Sequence, residues 1–305
     1  MPRHTLVPAP HPTPEVVKPN PPPKQADARS SPRKQRLPLS LMWTGGVLIF
    51  FWLLLPVLFG RDPYTQNIPD RLLPPGSAGS QGRVYVLGSD PLGRDNLGRL
   101  AYGARLSLTV GVTSVLGGGV IGFALGILSG YIGGGIDRIL MRIVDLQLSF
   151  PFIILAIGLL AAVGPSINVV IMLFIVARWP VYARVARASS LELKTREFVT
   201  AARAVGATDV RLLIRHIAPS CFAPILVIAS FELAGVIMAE ASLGFLGVGI
   251  APPTPTWGNL LAGSRNYLRT AWWLAVFPGL SISLVALAAN LMGDYLRDYL
   301  DPRLR

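Results

Sequence analysis

The sequence predicts an all-α membrane protein with six transmembrane helices, and three observations support this fold class. Of the 305 residues, 51% are hydrophobic and only 14% are charged, whereas a soluble domain carries about 25% charged residues. The mean hydropathy is +0.51. Apolar stretches close to 20 residues long, enough to cross the hydrocarbon core of a bilayer, alternate with polar or proline-containing segments.

The first 38 residues differ from the rest of the chain. They contain eleven prolines and few large apolar side chains. Such a segment cannot bury enough surface to offset the entropy lost on ordering. We therefore expect residues 1–38 to form a disordered, proline-rich cytoplasmic tail, and residues 39–305 to form the transmembrane domain.

The apolar stretches give the positions of the predicted spans, which are residues 39–60, 106–129, 148–163, 167–181, 219–246 and 272–291. A polar outer loop, residues 61–105, precedes the second span, and a polar loop, residues 182–218, precedes the fifth. Trp272 and Trp273 begin the sixth span and are expected at the membrane interface.

Four glycines follow one another at a strict four-residue spacing in the second span: Gly118, Gly122, Gly126 and Gly130. In lipid this spacing flattens one face of a helix, so that another helix can approach closely. We expect this glycine face to lie against a neighbouring helix.

The distribution of basic residues predicts the orientation. Lys and Arg total 19 in the N-terminal tail, the 131–149 and 182–218 loops and the C-terminal tail, against 8 in the loops of the opposite side. The positive-inside rule then places both termini in the cytoplasm. The net charge of +12 is explained by this orientation, because no basic run is interleaved with the aromatic residues that stack on nucleic acid.

Catalytic and metal sites have little support. His4 and His11 lie in the tail, which leaves His216 as the one histidine of the membrane domain, and Cys221 is the sole cysteine. Neither a nucleophilic triad nor a His/Cys metal cluster can be built from these. The G-x-x-x-x-G-K-[ST] phosphate loop is absent as well, so we expect no enzyme activity, no cofactor and no ATP bound by this chain alone.

The 182–218 loop carries the most informative pattern. Val199, Ala202 and Val205 recur at helical spacing, and Gly206 is placed to end that helix. Thr208 or Asp209 can cap a second short helix. The pattern predicts a helix, a tight turn and a second helix on the cytoplasmic face. An ordinary amphipathic helix lying in the interface is the alternative.

This loop resembles the Glu-Ala-Ala loop of bacterial ATP-binding-cassette (ABC) importer permeases. Ala201, Ala202, Gly206 and Pro219 match the family pattern in register, whereas Thr200 stands where the family has Glu. His216 and Ala218 also depart from the pattern, standing where the family has Ile and Leu, and Glu197 lies one helical turn before Thr200. The resemblance implies that this segment couples the chain to an ATPase subunit, through Glu197, Thr200, Ala201, Ala202, Arg203, Gly206 and Asp209.

Four other segments resemble signatures of the C-type subunit of dipeptide, oligopeptide and nickel importers, and together they extend the resemblance from Leu39 to Arg305. They lie at 87–108, 130–151, 240–258 and 290–302. The resemblance implies the ABC type I importer permease fold in the bacterial inner membrane. It also implies four partners: a second homologous permease subunit, two ATP-binding subunits and an extracytoplasmic substrate-binding protein.

The implied function is ATP-driven import, with di- and oligopeptides favoured as cargo because no His or Cys cluster suggests a metal path. Import of nickel or another small solute, a secondary transporter that needs no ATPase, and a membrane scaffold are the alternatives. Glu232 and Glu240 lie inside the fifth span, where a carboxylate either lines a translocation pathway or pairs with a neighbouring helix. Arg178, beside Trp179, is expected to extend toward the interface.

Overall fold

The computed structural model describes residues 61–300, together with residues 45–47, 49–52 and 54. Its long helices are α1 (Asn96–Ile132), α4 (Ile167–Lys194), α7 (Ala218–Phe245) and α9 (Trp273–Leu300). The shorter helices are α2 (Gly134–Ser149), α3 (Phe152–Val163), α5 (Glu197–Ala204), α6 (Asp209–Leu212) and α8 (Trp257–Ser264). A π-helical turn, Leu213–Ile217, joins α6 to α7.

The predicted all-α membrane fold is confirmed. In the described part of the chain, four helical stretches are long and apolar enough to cross a membrane: α1, α4, the run from α6 through α7, and α9. The bent pair formed by α2 and α3 gives up to five if it counts as a span. The predicted first span, residues 39–60, lies largely outside the described residues, and those of its residues that are described are helical.

Helix α1 begins at Asn96, ten residues before the predicted start of the second span at Leu106. The Asp95 carboxylate accepts a hydrogen bond from Leu97 N (2.9 Å) and caps the helix. This satisfies one of the N–H groups that a helix start leaves free. The outer loop therefore ends at Asp95, and the polar residues between 96 and 105 form the first turns of the helix.

The predicted third span, residues 148–163, is not one continuous helix. Helix α2 ends at Ser149 and α3 begins at Phe152, and the two axes differ by 87°. Pro151 has no N–H to continue the first helix, and the residue before a proline is driven to extended backbone. Helix α3 has 12 residues and is therefore about 18 Å long. The segment 131–149, which was predicted to be a loop, is largely the helix α2.

The fourth predicted span also ends too early. Helix α4 continues through Pro180 to Lys194, thirteen residues beyond the predicted end at residue 181. The prediction of 182–218 as a loop is therefore wrong for its first third. The fifth span, in contrast, is predicted within one residue at each end, because α7 covers Ala218–Phe245.

The glycine face of α1 packs directly on α4, which confirms the predicted helix contact. A side chain at Gly122 would lie 2.3 Å from Trp179 O, and one at Gly126 would lie 2.4 Å from Ala183 O. The backbones of the two helices are thus in contact, as small residues at a four-residue spacing allow. Ser190 reinforces the pair by donating a hydrogen bond to Ile127 O (3.2 Å).

Helix α8 packs between α1, α7 and α9. Trp257 is fully buried, and its Nε1 donates a hydrogen bond to Leu100 O (3.2 Å). The Thr256 side chain and the Asn259 side chain cap this helix reciprocally. These contacts join the N-terminal part of α1 to the C-terminal part of α7.

The outer loop is a compact polar segment rather than an open chain. Its strands β1 (Ser77–Ala78) and β2 (Val84–Tyr85) form an antiparallel hairpin. Asp70 is buried beneath it and accepts hydrogen bonds from Ser80 N (2.7 Å) and Tyr85 Oη (3.1 Å). The hydrogen bond from Ser80 N, above all, holds the pKa of the Asp70 carboxyl below its usual value.

Trp273, predicted at the membrane interface, is enclosed by protein. It is buried under the outer loop, where its Nε1 donates a hydrogen bond to Ser89 O (3.2 Å). Trp272 is the exposed member of the pair.

Candidate coupling site and intramembrane polar groups

The predicted helix–turn–helix is present between α4 and α7. Helix α5 ends at Ala204, and Gly206 follows with φ +90°. Ala207 N donates to Ala202 O (3.1 Å) and Gly206 N donates to Arg203 O (3.0 Å). These two bonds are the Schellman arrangement that closes a helix through a residue in the left-handed region, which favours glycine.

Thr208 begins the second short helix. Its side chain accepts a hydrogen bond from Arg211 N (3.4 Å), so of the two predicted capping residues Thr208 takes this position and Asp209 is the first residue of α6. Asp209 is then free to make contacts elsewhere.

Tyr131 ties the second short helix to the end of α1. Its hydroxyl donates a hydrogen bond to the Asp209 carboxylate (2.5 Å) and accepts one from Arg203 (3.3 Å). Lys194, at the end of α4, donates a hydrogen bond to Tyr131 O. The Tyr131 side chain thus joins both halves of the turn to the α1–α4 pair.

The turn exposes an apolar surface to its surroundings. Val205 is 86% exposed, and it is accompanied by Phe198, Val210 and Ile214, which are also exposed. The predicted site residues Glu197, Thr200, Ala201, Arg203, Gly206 and Asp209 are exposed as well. Exposed apolar side chains rimmed by charges are typical of a surface that binds another protein.

Ala202 occupies a different position from the other predicted site residues. It is half-buried and packs with the fully buried Val199 against the body of the protein. Its contacts seat α5 on the membrane domain, and Ala201 is the alanine that faces outward.

Glu232 and Arg178 meet inside the membrane region. Arg178 Nη1 lies 3.4 Å from Glu232 Oε2, and their side chains are 25% and 16% exposed. The guanidinium also lies 5.8 Å from the centre of the Phe152 ring. The expectation that Arg178 extends to the interface is therefore wrong, because the arginine turns toward α7 and forms an ion pair with Glu232.

The ion pair has a third polar neighbour. The Tyr182 hydroxyl is buried, and neither it nor Glu232 Oε2 has a hydrogen-bond partner among the described residues. This cluster joins α4 to α7 and retains unused hydrogen-bonding capacity.

Glu240 lies in a packed junction rather than in an open channel of this chain. It is 2% exposed, and its Oε2 accepts a hydrogen bond from Ser107 Oγ (2.9 Å). Ser107 Oγ in turn accepts one from Trp257 N (3.4 Å). The contacts link α1, α7 and α8, which is the structural alternative considered for this residue.

Tyr131 and Ser107 were not predicted, although they are the partners of Asp209 and Glu240. The sequence signal for Tyr131 was its position as an aromatic residue directly after the last glycine of the glycine face. The partner itself lies 78 positions away along the chain. In the part of the chain that the structure describes, no group of three or more His, Cys, Asp or Glu side chains could hold a metal ion.

Comparison with known proteins decides the family. The profile described as "Binding-protein-dependent transport system inner membrane component" matches residues 122–305. The chain belongs to this family. Members of this family of multi-pass inner-membrane permeases work with ATP-hydrolysing and substrate-binding partners.

Relatives in the permease family are similar over most of their length. The di/tripeptide transport system permease protein DppC of Pseudomonas aeruginosa is 43% identical over 262 residues, which cover 85% of this chain and 86% of the relative. The dipeptide transport system permease protein DppC of Escherichia coli is 45% identical over 244 residues, covering 80% of this chain and 81% of the relative.

The fold of this permease is similar to that of a solved structure. A chain from the inward-facing MetNI methionine ABC transporter aligns with a TM-score of 0.56 and 21% identity, covering 65% of this chain and 94% of that chain. At this identity the match supports the fold alone, and it agrees with the type I importer architecture that the sequence predicted.

Proposed function

We propose that this chain is one permease subunit of an ATP-driven importer of di- and oligopeptides. The proposal combines family membership with the names of the similar permeases, which are those of dipeptide and di/tripeptide transport systems. The observation that carries the coupling role is the exposed apolar turn after α5, held to α1 and α4 through Tyr131.

In this proposal the chain forms half of the translocation pathway, and a second homologous permease subunit forms the other half. Two ATP-binding subunits dock on the cytoplasmic side, and an extracytoplasmic protein delivers the peptide. The excess of Lys and Arg in the loops around α5 and in both terminal tails supports an orientation with both termini in the cytoplasm. The ATP is bound by the partners, so this chain needs no cofactor of its own.

Each part of the turn has a distinct role in this mechanism. Ala201 and Val205 offer small and apolar contact area to a groove of the ATPase, while Glu197 and Thr200 offer polar contacts on the same helix. Gly206 allows the reversal that presents them. Arg203 and Asp209 pass a displacement of the turn to Tyr131 and so to α1.

The intramembrane carboxylates divide between two roles. Glu232 is the better candidate for the pathway, because its side chain is 16% exposed whereas Glu240 is 2% exposed. Glu240 is enclosed and hydrogen-bonded, which supports a structural role in the junction of α1, α7 and α8. Alternating access would then change the surroundings of Glu232 while leaving those of Glu240 intact.

A pair of alanine variants tests the coupling role. Ala201→Arg places a long charged side chain on the exposed face of α5, and it should abolish co-purification with the ATP-binding subunits and peptide uptake. Ala188→Arg is the matched control, because Ala188 is an exposed alanine near the end of α4, in the same 182–218 segment. It should leave co-purification unchanged, and both variants should reach the membrane at wild-type levels.

Gly206 supplies an independent test of the same role. Gly206→Val should lose coupling because a β-branched side chain is strongly disfavoured at positive φ. Gly206→Asn should retain more activity, since Asn tolerates that region better than other non-glycine residues. Wild-type uptake and ATPase association in both Ala201→Arg and Gly206→Val would refute the proposed coupling site.

A further inference from the structure

A cavity with a mixed polar and apolar lining lies beside the outer loop, at the opposite end of α1 from the coupling turn. It is enclosed by the end of the outer loop, the first turn of α1, and helix α8 with the start of α9. Its volume is about 220 Å³, far more than the roughly 10–15 Å³ that a cavity needs to hold one water. It is therefore large enough to admit a small organic molecule or one end of a larger one.

Most of the polar side chains that line the cavity already have partners. Asn96 donates to Leu87 O, Asn259 donates to Thr254 O, and Ser264 donates to Leu261 O. These groups fix the walls, and their contacts are complete without a ligand.

Arg99 is different from the other lining residues. It is 7% exposed, and its Nε and Nη1 have no hydrogen-bond partner among the described residues. Guanidinium nitrogens are donors only and cannot lose their charge in ordinary conditions. A buried guanidinium with unused donors is costly unless an acceptor completes it.

The charges around Arg99 do not balance within the cavity wall. The described charged residues lining it are Asp90, Arg94 and Arg99. Asp90 Oδ2 is taken by Arg94 Nε at 2.6 Å and lies 3.6 Å from Arg99 Nε, beyond hydrogen-bond distance. One carboxylate thus lies beside two guanidinium groups, which leaves the cavity lining with a net charge of one positive unit.

We propose that this outer cavity binds a carboxylate group, which pairs with Arg99 and supplies the missing negative charge. The group that fits both the single charge and the volume is the carboxylate of a small molecule, such as the free C-terminus of a short peptide. The peptide as the source of the carboxylate rests on the proposed function, whereas the carboxylate site itself does not.

Calorimetric titration of the purified full-length chain in lipid nanodiscs, in a chloride-free buffer, tests this site. The probes are acetate, dialanine and dialaninamide, the last of which lacks the carboxylate. Dialanine should bind at least about tenfold more tightly than dialaninamide, because the pairing with Arg99 is charge-assisted. Acetate as strong as dialanine would leave the carboxylate site standing and remove the peptide as its preferred source.

Three variants connect the binding to the unbalanced charges. Arg99→Gln should weaken dialanine binding by about tenfold or more, because it removes the unbalanced positive charge that lines the cavity. Asp90→Asn should strengthen binding severalfold, because it removes the competing carboxylate while its side-chain oxygen still accepts from the backbone of the turn. Arg71→Gln, which removes an exposed arginine of the same outer loop, should change the affinity by less than about twofold.

The opposite directions of the first two variants separate a lost site from a misfolded protein, since misfolding cannot raise the affinity. Two results would overturn the proposal: the wild-type chain binds neither acetate nor dialanine, or Arg99→Gln binds them as the wild type does. If uptake assays fail to show peptide import but acetate binds through Arg99, the proposed function fails and the carboxylate site remains.

Discussion

Replacing Gly122 with Ala adds one methyl group where α1 and α4 are closest. The added carbon would lie 2.3 Å from Trp179 O, 2.6 Å from Tyr182 Cβ and 2.9 Å from Ala183 N. Non-bonded carbon contacts are comfortable at about 3.5–4.0 Å, so the two helices must separate locally by about 1 Å. Two of these three atoms belong to backbone and the third is a Cβ, so none can rotate away as the end of a flexible side chain would.

The expected cost follows from two opposing effects. Overpacking a tight contact costs typically about 1–3 kcal/mol, and the backbone contact places this site toward the upper end. Alanine recovers roughly 0.5–1 kcal/mol because it restricts the unfolded chain and favours helix. We therefore expect Gly122→Ala to lower the free energy of unfolding by about 1–2 kcal/mol.

Gly235→Ala is the matched control on α7. A side-chain carbon at Gly235 would have no described atom within 4 Å, so only the helix-favouring effect of alanine should appear. Unfolding by sodium dodecyl sulfate in mixed micelles, followed by circular dichroism, measures both variants on the same chain. Equal stability of Gly122→Ala, Gly235→Ala and the wild type would refute the backbone contact between α1 and α4.

Three further predictions concern other parts of the molecule. Arg178→Gln and Glu232→Gln should each destabilise the chain by about 1–3 kcal/mol, and the double variant should be more stable than either, because each single change leaves one charge unpaired; additive losses in a double-mutant cycle would argue against the ion pair. In a background without Cys221, a cysteine at Ala251 should react with a membrane-impermeant thiol reagent on intact cells. A cysteine at Thr195 should react only after the cells are permeabilised, and the reverse pattern would contradict the proposed orientation. The pKa of the Asp70 carboxyl is lowered by folding. The stability that the carboxylate adds is therefore present above its unfolded pKa and is lost as the pH falls through the folded pKa. Protection of the outer-loop amides, measured as the exchange rate relative to the intrinsic rate at each pH, should fall below about pH 4, and constant protection would count against this role.

The sequence was most informative where local chemistry decides the structure. The bounds of α7 were predicted within one residue, because an apolar run of 28 residues begins at a proline and ends in a glycine-rich segment. Gly206 was predicted to end a helix, and it does so with positive φ. The contact of the glycine face was predicted because four small residues at one spacing have few other uses in a membrane helix.

Boundaries hidden by composition were predicted less well. The start of α1 was missed because Arg99 and Arg105 make its first turns look like loop, although Asp95 gave a capping signal. The helix before the bend at Pro151 was missed because Asp137, Arg142 and Asp145 make residues 131–149 resemble a loop, whereas the apolar residues after Pro151 resemble a span. Helix continuity depends on backbone direction, which an average of side-chain hydropathy does not report.

Pairings between distant residues were beyond the sequence alone. Glu232 was identified as an unusual intramembrane carboxylate, but its partner Arg178 belongs to another helix. Their meeting depends on the rotation and height of α4 relative to α7. The close packing of α4 on α1 sets part of that register, and no local pattern encodes the result.

The contact between α1 and α4 also determines how a push on the cytoplasmic turn travels. The backbones of α1 and α4 are in contact from Gly118 to Gly130. Neither helix can slide along the other without losing these contacts, so the pair moves as one rigid body. Helix α1 has 37 residues and is therefore about 55 Å long. If a push on Tyr131 tilts this pair by about 5° about the middle of α1, each end of α1 moves by about 2.4 Å, in opposite directions. A push applied beside the turn therefore also moves the first turn of α1, where Arg99 lies.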